Sequence, residues 1–101
     1  MYANAAAFGE AARNLVDSAD PPPRVLVVDC EEMFTIDFTG TEAVESLVAD
    51  MRDRSVDVRL ARVHGIVMTR LRAAGVIETL GEGNVFGQIA DAVAAAPPPG
   101  R

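Results

Sequence analysis

Lysine is absent from this chain of 101 residues, and all nine of its basic residues are arginine. Without lysine there is no Walker-type phosphate loop, whose amine must reach the outer phosphates. A single cysteine, Cys30, excludes an internal disulfide and fits a reducing compartment. A single histidine, His64, has no cysteine or carboxylate at ligand spacing and no serine or cysteine partner at a recognisable spacing. Neither a metal site nor a nucleophile–base pair is therefore expected. No apolar run approaches the ~20 residues of a membrane span, so the chain is not expected to cross a bilayer by itself. No basic segment leading into an apolar stretch opens it, so no secretory leader is expected either. Basic charge is scarce: nine arginines stand against fifteen acidic residues, for a net −6. An acidic domain without a basic face is a poor partner for nucleic acid.

What is present has an ordinary globular balance, with half of the residues apolar and 24% charged. One domain of this length buries roughly 60–70% of its unfolded surface, enough for a core without staples. The six prolines form two triplets, Pro21-Pro22-Pro23 and Pro97-Pro98-Pro99, each a boundary that no helix crosses. They divide the chain into a domain over residues 1–96 and a proline-rich, solvated tail over 97–101.

Before the first triplet, Phe8, Ala11, Ala12, Leu15, Val16 and Ala19 recur at helical spacing. They predict an amphipathic helix over about residues 4–18, with Asn4 as its N-cap. Arg24 to Asp29 is a β-branched run, read as a strand buried on both faces. Val44, Leu47, Val48 and Met51 mark the inner face of a second helix. Val56 to Val63 alternates as a second strand with Asp57, Arg59 and Arg62 outward, and His64-Gly65 ends it. Ile66 to Ala74 follows as a helix with Val67, Leu71 and Ala74 inward and Gly75 as its left-handed cap. Gly81 to Asn84 reads as a loop, Val85-Phe86 as a short extended piece, and Gln88 to Ala96 as a last helix.

Alternating helices and strands of this kind predict an α/β fold, its sheet mostly parallel and joined by right-handed crossovers. Two long strands are few for a stable sheet. Met1-Tyr2-Ala3 reads as the end of an earlier element, so the chain is expected to be one piece of a larger protein lacking its leading strands. A sheet edge and the apolar faces of Val25 to Val28 and Val56 to Leu60 should then be poorly covered.

The sharpest local signal is Asp37-Phe38-Thr39-Gly40-Thr41-Glu42. Thr39 and Glu42 have the spacing of a capping box, with Phe38 and Ala43 as the accompanying staple. On that reading Thr39→Ala costs about 1 kcal/mol. The same hydroxyl, at the positive end of a helix dipole, is also a natural phosphorylation site. Asp29, Glu31 and Glu32 read as a solvated acidic loop, and Cys30 as a small core hydrophobe. Gly81-Glu82-Gly83 lacks the third glycine of a dinucleotide motif. No catalytic constellation emerges.

Taken in order, these segments resemble the STAS domains of SulP-type anion transporters. Tyr2-Ala3-Asn4-Ala5, Val25 to Asp29, Ile36-Asp37-Phe38-Thr39-Gly40, Leu71-Arg72-Ala73-Ala74-Gly75-Val76 and Asn84-Val85-Phe86 each have a counterpart there. The family's first serine at the helix entrance is Phe38 here, while Thr39 keeps the position phosphorylated in the related anti-sigma-factor antagonists. The resemblance implies a non-catalytic regulatory and interaction domain on the cytoplasmic face of the plasma membrane, attached to the transporter's membrane domain in the same polypeptide. Its other implied partners are a regulatory protein or kinase, with oligomers formed through the parent transporter. The alternative is a free-standing anti-sigma-factor antagonist switched by phosphorylation. No cofactor is required. GTP, GDP or ATP is expected as a weak ligand, at a site made of Asp37, Thr39, Gly40, Thr41, His64 and Gly65 on the carboxyl edge of the sheet. Arg62 or Arg70 would supply the countercharge, with Asp37 opposing it.

Overall fold

Val25–Asp29 forms strand β1 and Asp57–Ala61 forms β2, paired in parallel from Val25 opposite Asp57 to Asp29 opposite Ala61. A third strand, β3 (Val85–Phe86), pairs in parallel with the far side of β2, giving the order β1-β2-β3. This computed structural model describes the backbone of residues 5–96 and side chains from residue 9 onward. The expected Asn4 cap, the Phe8 side chain and the 97–101 tail lie outside the described residues.

Because paired residues in a parallel ladder point to the same side, the register sorts the sheet into two faces. Leu26, Val28, Val58 and Leu60 line one face and join a single core with Val44, Leu47, Val48 and Met51 of helix α2 (Phe38–Asp53). Helix α3 (Gly65–Ala73) adds Val67 and Leu71, and helix α4 (Val76–Leu80) adds Val76, Ile77 and Leu80. The break between α3 and α4 falls at Gly75, whose φ of +79° is a left-handed value that favours glycine. Ala74, expected inside, is exposed at this break.

Helix α1 (Ala5–Ser18) rests on α2 rather than on the sheet. Its inner stripe is narrower than predicted: Ala12 and Val16 are buried, but Leu15 is 56% exposed and Ala11 also faces solvent. Ion pairs supply the rest of the contact. The Arg13 guanidinium donates to Asp50 at 2.7 Å and to Ser46 at 3.1 Å, and Arg54 at the end of α2 reaches Asp17.

The opposite face overturns three expectations. Asp57 and Arg59 do not point to solvent; both are buried, Arg59 to 2% exposure, beneath the closing helix α5 (Ile89–Ala94). The alternation does mark two faces, but α5 comes from far along the chain and covers the polar one. Strand β2 is consequently buried along its whole length, not poorly covered. Strand β1, by contrast, is buried only through Leu26 and Val28. Val25 and Val27 are half-buried because six-residue α5 is too short to cover the edge strand fully. Among the described residues nothing pairs with the outer side of β1. Finally, the second strand stops at Ala61, two residues early, where Arg62 turns to a φ of +57°.

Candidate functional site

The parallel sheet brings the ends of β1 and β2 and the starts of α2 and α3 to one edge, where α/β folds usually place ligands. Asp37 is extended there, and its carboxylate accepts from the Gly40 amide at 2.7 Å. Its carbonyl accepts from the Thr41 amide at 2.9 Å and the Thr41 hydroxyl at 3.0 Å. Asp37 is therefore the N-cap of α2, and the expected Thr39 capping box is corrected. Thr39 is the second helical residue and faces solvent, and Phe38, expected as a staple ahead of the helix, is its first residue. The physical reason is that a carboxylate caps as well as a hydroxyl and also complements the helix dipole.

The stability expectation moves with the cap. Asp37→Ala should cost about 1 kcal/mol, whereas Asp37→Asn should be nearly silent. Thr39→Ala should stay within about 0.5 kcal/mol of the parent, as exposed positions do. Urea unfolding of the three variants checks this, and a reversed order would return the cap to Thr39.

Asp29, at the end of β1, accepts from Arg62 Nε at 3.1 Å and Nη2 at 2.5 Å, and from the Glu31 amide at 3.0 Å. Arg62 Nη1 lies 2.5 Å from Glu31 Oε2, so one guanidinium bridges two carboxylates. The bonds from Arg62 hold the Asp29 carboxyl below its ordinary range, and Asp29 and Glu31 hold the Arg62 guanidinium above its own. Arg62 is thus committed within the protein rather than presented as a countercharge. Burial, and then the neighbouring Asp29 charge, push the Cys30 thiol up to about 12.

Because the Asp29 carboxyl titrates lower in the folded chain, its contribution is present above the ordinary value of 3.8 and is lost as pH falls below it. The melting-temperature gap between the parent and Arg62→Gln should therefore be widest near neutrality and close in acid. A gap that stays constant into acid would mean that Arg62 acts through packing alone.

The remaining residues knit the same edge together. The His64 ring bonds the Glu31 carbonyl and packs on Phe34 with ring centroids 4.8 Å apart. Arg70 of α3 donates to the Ile36 carbonyl at 2.6 Å, tying the segment before α2 to α3. Thus Asp37, Thr39, Gly40, Thr41, His64 and Gly65 do lie on one edge, but with different availability. The Gly40 amide and Thr41 hydroxyl are occupied by Asp37, Thr39 is open, and His64 is engaged. Gly65 begins α3 without a crowded Cβ position. Among the described residues no group of three or more histidine, cysteine, aspartate or glutamate side chains is placed to hold a metal ion. No described helix is long and apolar enough to cross a membrane.

Sequence reasoning passed over Phe34 and took Phe38 only as a staple, yet both rings are largely exposed beside this edge. Two phenylalanines placed on either side of Asp37, in a segment without a strand or helix period, were the available signal.

Comparison with known proteins agrees with this architecture. The family model for the STAS domain matches residues 1–94. A STAS domain of a SulP transporter from Vibrio cholerae superposes with a TM-score of 0.78 at 22% identity, covering 88% of this chain and 70% of that one. A sulfate transporter family protein from Wolinella succinogenes superposes at 0.76 with 26% identity, covering 87% and 72%. The α/β fold is that of a STAS domain, and the chain belongs to the STAS domain family. Among curated relatives, high affinity sulfate transporter 2 of Stylosanthes hamata is 33% identical over 77% of this chain. A probable sulfate transporter of Mycobacterium tuberculosis is 29% identical over 93%. The chain spans only 12% and 17% of those two proteins.

Proposed function

We propose that this chain is the cytoplasmic regulatory and interaction domain of a SulP-type anion transporter and catalyses no reaction itself. The observation that carries this reading is the STAS match along residues 1–94, joined to relatives that are several times longer and named as sulfate transporters. The edge described above supports binding rather than bond-making, since Arg62 and His64 are held in internal contacts. The membrane domain of the same polypeptide is the first partner on this reading.

Exposed Thr39 is the proposed modification site, within reach of a kinase and at the positive end of α2. A nucleotide is the proposed weak ligand, its phosphates at the first amides of α2, those of Phe38 and Thr39, which no intrahelical carbonyl accepts. Asp37 and the net charge of −6 oppose a triphosphate. Its dissociation constant should accordingly be no tighter than the micromolar-to-millimolar range, roughly −4 to −8 kcal/mol.

The reading frame should carry a series of apolar spans upstream, each of about 20 residues. A frame without them would favour the free-standing anti-sigma-factor antagonist. In cells carrying the full polypeptide, Thr39→Asp should alter uptake of labelled sulfate while the melting temperature of the domain is kept. Unchanged uptake and unchanged partners would remove the switch. For the ligand, NMR titration with GTP, GDP and ATP should move signals within residues 37–42 and 62–66. Scattered shifts, or none at millimolar nucleotide, would leave the helix start as a cap only.

A further inference from the structure

The segment between β1 and α2 is anchored repeatedly, yet it displays its aromatic rings to solvent. The Met33 amide donates to the Cys30 carbonyl at 3.0 Å, and the Ile36 side chain is buried while its carbonyl is held by Arg70. Phe34 leans on His64, and Asp37 caps α2 immediately beyond. Between these anchors Phe34 remains 68% exposed and Phe38 78%. Ile66, the second residue of α3 and two beyond His64, is 51% exposed. The chain has four phenylalanines and one tyrosine, so two of its five aromatics face water on one edge. Aromatic rings on a prefixed backbone are the usual anchors of protein interfaces, because little ordering remains to be done on binding.

The charge around these rings selects the partner. Glu32 stands two residues before Phe34, and Glu42 and Glu45 follow Phe38 along one face of α2. All three are exposed and make no ion pair among the described residues. The nearby cations are already bonded within the chain, exposed Arg70 to the Ile36 carbonyl and half-buried Arg62 to Asp29 and Glu31, so the three free carboxylates set the charge of the rim. An apolar centre with an acidic rim repels an anionic lipid surface and a second copy of this acidic chain alike.

We propose that Phe34, Phe38 and Ile66 form a docking surface for a protein segment that carries aliphatic side chains flanked by arginine or lysine, best met by a basic amphipathic helix. The surface stands on this chain's own exposed side chains and does not depend on the transporter reading.

The test uses the 101-residue chain and three synthetic helical peptides with one pattern, built from Leu and Lys, Leu and Glu, or Ser and Lys. The Leu/Lys peptide should bind and shift the signals of Phe34, Phe38 and Ile66, while the other two should not. The double variant Phe34→Ser/Phe38→Ser should weaken that binding at least about tenfold at an unchanged melting temperature. Glu42→Arg/Glu45→Arg, which leaves the rings in place, should weaken it as well. Undiminished binding by either variant overturns the proposal, as does equal binding of the Leu/Glu peptide. Co-sedimentation with phosphatidylserine vesicles that needs both rings would make the patch a membrane contact instead. Dimerisation abolished by the double variant would make it a self-interface, and either result overturns the proposal.

Discussion

Arg59→Ala is expected to lower the stability of the domain by about 3–5 kcal/mol, the usual result of removing one partner from a buried ion pair. Arg59 lies in the middle of β2, and each arm of its guanidinium is used. Nε donates to Asp57 at 3.0 Å, Nη1 to the carbonyls of Ala92 at 2.7 Å and Ala95 at 2.8 Å, and Nη2 to that of Ala96 at 2.9 Å. It therefore neutralises a buried carboxylate and closes the carbonyl end of α5. Without it, Asp57 keeps only the Asn84 side-chain amide at 2.7 Å, and the carbonyls of Ala92, Ala95 and Ala96 lose their donor, that of Ala92 in a buried place. In a domain of this size the melting temperature should fall by more than about 10 °C. Arg59→Lys should lie between, since an ammonium keeps the charge but cannot span the fork. The double variant Asp57→Asn/Arg59→Met should recover part of the loss, because it removes both charges. Thermal melts decide it, and an Arg59→Ala chain that melts with the parent would show that α5 is held by its apolar contacts alone.

Leu60→Ala should cost about 2–5 kcal/mol, the range for a fully buried leucine whose site cannot collapse. Leu60 is paired on both sides, with Val28 of β1 and Val85 of β3, and is 1% exposed against the helices. The rigid ladder on either flank keeps the cavity open. Leu15→Ala offers the contrast: the same change on the outer face of α1 should stay within about 0.5 kcal/mol. Urea midpoints with equal slopes would measure both. Similar losses at the two positions would mean that α1 is buried in solution.

The inner stripe of α2 and the run of β1 were legible because periodicity records burial within one element. Val44, Leu47, Val48 and Met51 are all buried as their spacing requires. Asp57 and Arg59 were misread for the same reason: alternation says that one face of a strand is polar, not whether a later helix covers it. Their partners, at Asn84 and from Ala92 to Ala96, come from the far end of the chain. At the candidate site the helix start was found from its local capping residues, though the cap itself was assigned to Thr39 rather than Asp37. The ties from Arg62 to Asp29 and from Arg70 to Ile36 join residues more than thirty positions apart, so they follow only from the parallel register.

The lack of lysine reappears in the folded chain as a property of its lashings. Every ion pair among the described residues has a guanidinium as its cation, from Arg13, Arg54, Arg59, Arg62 or Arg72. A guanidinium keeps its proton beyond about pH 12, whereas an ammonium begins to lose its own near 10. The buried thiol of Cys30 is also held back to about 12. These contacts therefore carry no group that discharges in moderate alkali, and their lashings loosen from the acid side alone.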